Sequence, residues 1–144
     1  MEYQRIQTAL TDHLKTLPNL PELFEEGDSG FLQSDEAVGT RTSSYIRTLM
    51  EPLRSSALTL GQSGEDIYPL NFIIQQFTPQ GSGTKFTNNF ADDLARLFKR
   101  GNSIVIEPGL CVSITRAYKN PNIHNTNFTQ STFIIEAECI ITRA

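Results

Sequence analysis

Apolar residues recur along residues 2–17 at helical spacing. Tyr3, Ile6, Leu10, Leu14 and Leu17 lie three and four apart and share one face, with Gln4, Arg5, Asp12 and Lys15 mostly opposite. This predicts an amphipathic helix. Pro18 stops it, because the residue before a proline is pushed out of the α region. From 18 to 44 no period holds. Pro18, Pro21, Gly27, Gly30 and Gly39 interrupt the stretch, and Glu22, Glu25, Glu26, Asp28, Asp35 and Glu36 precede the first base, Arg41. We expect a long acidic loop or arm here, with Leu23 and Phe24 as apolar anchors and a short strand at Phe31-Leu32. An unstructured stretch of that length inside a compact domain points to function or disorder.

Alternation then takes over. Tyr45 to Met50 reads as a strand ending near Pro52, with Ser55–Leu60 continuing it. Gly61 to Asp66 is rich in turn formers, so the flanking strands should form a hairpin. Tyr68 to Thr78 places Leu70, Phe72 and Ile74 on one face and Ile73 and Phe77 on the other, and Pro69 implies an edge or bulge. Pro79 to Gly83 is a loop, Thr84 a candidate N-cap. Phe86, Phe90, Leu94, Leu97 and Phe98 then form a second helical stripe, with Gly101 as its stop. Ile104–Ile106 and Leu110–Tyr118 are strands joined by Glu107-Pro108-Gly109, Asn120–Asn127 is a loop, and Thr132–Thr142 alternates most regularly. The order predicts an α+β fold: a mixed or antiparallel sheet of about five strands with two helices packed on one face.

The 144 residues suit a single domain, 1–144, with no need of a metal or disulfide staple. The net charge of −4 is unevenly spread: residues 1–40 carry −6 and residues 41–144 carry +2. A dedicated nucleic-acid binder, which needs clustered bases, is disfavoured. Neutral Ser, Thr, Asn and Gln number 43, against two histidines and two cysteines, so the surface is polar and the catalytic inventory thin. The first residues lack the basic and apolar regions of a signal peptide, and no apolar run exceeds three residues, so a cytoplasmic protein without a membrane span is expected. Cys111 and Cys139 then read as small buried hydrophobes, and the sequon at Asn127 as chance.

Gly81-Ser82-Gly83-Thr84-Lys85 opens a helix but fails the P-loop and dinucleotide spacings. His13 and His124 have no neighbouring ligand types, so no metal is expected. Asp92 and Asp93 diverge by about 100° on a helix and cannot serve one site. A spatial Ser-His-Asp or Cys-His arrangement stays open, but no Gly-x-Ser-x-Gly elbow exists. No catalytic residue and no cofactor is assigned.

Several pieces occur in a telling order: the helix around Ile6, Ala9 and Leu10; Leu23-Phe24-Glu25-Glu26; Tyr45-Ile46-Arg47; Phe77-Thr78-Pro79 followed by Gly81-Ser82-Gly83; Ala91-Asp92-Asp93-Leu94 with Leu97-Phe98; and Gly101 before a final β-pair. In these the chain resembles the tail-terminator proteins of long-tailed phages, the lambda-type minor tail proteins. The loop from Gly27 to Ser44 is longer and more acidic than that pattern. The resemblance implies a non-enzymatic virion protein, made in the host cytoplasm, that forms a ring, usually of six copies, at the head-proximal end of the tail tube. Its partners would be its own copies, the major tail tube protein and a head–tail connector. DNA would pass through the ring without sequence-specific binding. A heterologous ring needs two different complementary patches. We expect Glu22, Glu25 and Glu26 on one, Arg96, Lys99 and Arg100 on the other, and Arg47 at a subunit or tube interface. The alternatives are a neck connector and a small hydrolase using carboxylates.

Overall fold

The structure, a computed structural model, describes residues 3–18, 20–25, 44–61, 64–79, 85–124 and 128–142. The elements run α1 (Tyr3–Leu14), β1 (Glu22–Glu25), β2 (Tyr45–Pro52), β3 (Ser56–Ala57), β4 (Glu65–Pro79), α2 (Lys85–Leu97), β5 (Ser103–Glu107), β6 (Leu110–Lys119), β7 (Ile123–His124) and β8 (Phe128–Thr142). Six strands form one sheet in the order β1-β2-β4-β8-β6-β5, and β3 and β7 add short pairings to β4 and β8. Among the described strands only the β1–β2 pair is parallel, so the sheet is mixed.

The spine is the fifteen-residue antiparallel pair β4–β8, in register from Glu65↔Thr142 to Pro79↔Phe128. Strict alternation aligns Leu70 with Ala137, Phe72 with Ile135 and Ile74 with Phe133 on one face. That face meets Ile6, Leu10 and Leu14 of α1, Phe90 and Leu94 of α2, and Phe98 just beyond it, in one buried core. Burial of each large apolar side chain contributes roughly 1.5–3 kcal/mol. Phe98 closes the cluster, its ring 5.3 Å from that of His13 and 6.1 Å from that of Phe72. The His13 Nε2–H donates to the Leu97 carbonyl at 3.0 Å, tying α1 to the end of α2. Gly101 adopts φ +90, a left-handed stop, and its N–H bonds the Ile114 carbonyl at 2.9 Å.

The α+β fold is as expected; the sheet is larger than about five strands. Residues 22–25, expected within the acidic loop, form a parallel edge strand. Two acids in four residues dilute the apolar signal that pairing with Tyr45–Thr48 restores. The Asn-rich loop holds the two-residue β7, paired with Thr129 and Gln130. Partner strands also lengthen β4 by three residues and β8 by four at their N-terminal ends. Helix α1 ends at Leu14, and Leu17 packs on the core from a following turn. Pro69 lies where the β2 ladder ends: Pro52 pairs with Leu70, and the Leu53 N–H donates to the Pro69 carbonyl. The expected strand at Phe31-Leu32, the Thr84 cap and the Gly81–Gly83 loop lie outside the described residues.

Candidate functional site

The face of the sheet away from the α1–α2 core carries three cross-strand rows. Arg47, Gln75 and Thr132 form one; Leu49, Ile73, Ile134 and Tyr118 the next; Glu51, Asn71, Glu136 and Arg116 the third. The middle row is apolar and half-buried. A register shift between Ile114 and Arg116 keeps this pattern on β6, turning Ala117 inward and Arg116 and Tyr118 outward. The Arg116 guanidinium lies 4.5 Å from the centroid of the Tyr118 ring. At one end Tyr45 stacks on Phe77 at 4.9 Å, and Phe128 lies 5.6 Å from Phe77.

The lateral edges of the sheet differ in charge. Glu22 and Glu25 lie on β1, among the described residues the last strand at one side. At the other side Lys99 and Arg100 are exposed in the turn between α2 and β5, held against β6 by the Gly101–Ile114 bond. The acids and these bases are therefore segregated to opposite edges rather than brought together within the chain. Arg96 is different: it pairs with Asp93 on its own helix, near Leu17 and Pro18. Arg47 projects from the open face, its Nε–H bonded to Gln75 Oε1 at 2.7 Å and its guanidinium 4.9 Å from the Phe77 centroid. Glu26 lies outside the described residues.

A groove of about 540 Å³ runs between α1 and β5, lined by Gln4, Arg5, Thr8, Asp12, His13 and the backbone-bearing edge at Ile104–Ile106. Arg5 and Glu107 pair at 2.8 Å. Val105 is 64% exposed on the outer face of β5. Neither this groove nor Val105 stood out in the sequence, because Ile104-Val105-Ile106 reads as a uniform apolar run with no exposed side. A second groove of about 290 Å³ lies between Ala91 and Ala95 of α2 and Ala117 and Tyr118 of β6. Among the described residues no three His, Cys, Asp or Glu side chains converge as metal ligands. Asp92 and Asp93 are dispersed, with Asp92 exposed and Asp93 paired to Arg96. His124 Nδ1 lies 3.2 Å from Thr129 Oγ1 on the β7–β8 hairpin, far in sequence from His13. Cys111 and Cys139 are both reduced, the second buried. No helix among the described residues is long and apolar enough to cross a membrane.

No protein-family model matches the chain, and no curated protein matches it in sequence. The fold does match a solved structure whose name states no activity. The TM-score is 0.63 at 15% identity, covering 96% of each chain. This likeness extends over the whole architecture and concerns the fold alone.

Proposed function

We propose that this protein is a virion component of the tail-terminator type. It assembles as a ring on the head-proximal end of a phage tail tube, ends tube growth and presents the surface to which the head docks. The observation that carries this reading is the opposite charge on the two lateral edges of one sheet, Glu22 and Glu25 at β1 against Lys99 and Arg100 beside β5. Two different complementary edges are what head-to-tail contacts require, and such contacts close into a ring when the rotation per subunit divides the circle. The half-buried apolar row on the open face, flanked by polar rows, supports a role in contact rather than in a concave catalytic site. The order of sequence pieces that resembles tail terminators supplies the biological setting, including six copies and the tube and connector as partners.

The test is tube growth. Tail tube protein polymerising in the presence of this protein should stop at a reduced length, followed by light scattering and electron microscopy. Unaltered tube length with no bound protein at either end contradicts the proposal. A head–tail connector would instead bind the head vertex and leave tube growth unchanged.

A further inference from the structure

We infer that the groove between α1 and β5 receives strand β1 of a second copy of this chain, so that the sheet continues from one subunit into the next. This rests on the ring reading and specifies its contact. Strand β5 ends the sheet, and among the described residues no strand lies beyond it. Three consecutive residues whose side chains alternate, Ile104, Val105 and Ile106, all line the groove, as they do where a strand's backbone edge faces it, and the Val105 side chain is exposed. An edge of this kind is a template for another strand, and natural proteins guard such edges with charge, bulges or cover. Here the guards are slight: the register shift after Val105 and the terminal Glu107, itself neutralised by Arg5.

Strand direction selects the occupant. Four antiparallel pairings separate β5 from β2, and β1 runs parallel to β2. The two end strands therefore point the same way. Rotation about an axis close to the strand direction preserves that sense, so β1 of one copy meets β5 of the next in parallel. A two-fold axis would instead pair β5 with β5, antiparallel. The lengths agree, four residues against five. Glu22 and Val105 lie on the same outer face, as their registers with Tyr45 and Cys111 require. Charge agrees as well. Asp12 is the one acid lining the groove, while Lys99 and Arg100 are exposed in the turn that leads into β5, at the side that the acids of an incoming β1 would meet.

The experiment uses the full chain in a Cys111→Ser background. Glu22→Cys protein is mixed with Val105→Cys protein, or with Ser103→Cys protein to cover a two-residue shift of register, and oxidised with and without tail tube protein. The inference predicts Glu22–Val105 or Glu22–Ser103 cross-links between chains, absent from either variant alone. It also predicts that Val105→Glu weakens assembly about tenfold while Val105→Lys retains it, with the melting temperature of the monomer unchanged in both. Cross-links confined to Val105–Val105 pairs, or no cross-link at any concentration, overturn the inference. Rings without these cross-links overturn it and leave the ring reading standing. Cross-linked open chains that never close, and never cap a tube, support the strand pairing and overturn the ring.

Discussion

Adjacent glutamines on β4 should respond in opposite directions to the same substitution. Gln76 is 0% exposed, beside Ile46 and Ser131 on the helix-side face, and among the described residues neither its Oε1 nor its Nε2 has a hydrogen-bond partner. The nearby Thr48 and Thr78 hydroxyls are also buried without partners among the described residues. An amide held this way keeps its desolvation cost without the compensating bond. Met matches the unbranched shape of Gln, so Gln76→Met removes the cost and preserves packing, for a stabilisation of about 1–3 kcal/mol. Gln75 projects to the opposite face and accepts the Arg47 Nε–H bond at 2.7 Å. Gln75→Met deletes that bond at a partly exposed site and should destabilise by about 0.5–1.5 kcal/mol. At about 3 °C per kcal/mol for a chain of this size, the two variants should melt roughly 5–14 °C apart, with wild type between them. Urea and calorimetric melts of the two variants measure this. Destabilisation by Gln76→Met of 1 kcal/mol or more refutes the reasoning, because it means the amide is satisfied in solution by ordered water.

Three further outcomes follow from the same geometry. Phe98→Ala removes the ring that joins both helices to the sheet and should cost about 3–5 kcal/mol in denaturant unfolding, against at most about 0.5 kcal/mol for Arg96→Ala, which breaks only the exposed pair with Asp93. Gly101→Ala forces a side chain into φ +90 and should cost about 1–2 kcal/mol, although no atom of the described residues lies within 4 Å of the new Cβ. Lys99→Glu with Arg100→Glu should abolish ring formation in sedimentation without changing the melting temperature, and wild-type rings should weaken as salt rises from 0.05 to about 0.5 M.

The sequence carries the core almost directly. Period-two alternation in Leu70–Ile74 and Phe133–Cys139, and helical spacing in Ile6–Leu14 and Phe90–Phe98, already mark most of the buried cluster. What it conceals is non-local. Glu22–Glu25 becomes a strand only because Tyr45–Thr48 lies beside it, and β7 forms only against β8. Lys99 and Arg100 are legible as a basic helix end, and the acids as an acidic segment. That the two occupy opposite edges of one sheet follows from strand order, which no local pattern encodes. Arg96 shows the converse: it reads as part of the basic patch, yet its i, i+3 neighbour Asp93 already engages it. Val105 is the clearest omission. A three-residue apolar run on an edge strand has one face in the core and one in solvent, and only the neighbours decide which.

Closure of this chain into a ring on a tube end can be read from image averages of tail tubes assembled with the protein. A closed ring of six copies is expected at one end of each tube, with tubes no longer than those at the moment of its addition. Tubes that keep growing, with bare ends and the protein monomeric beside them, would contradict it.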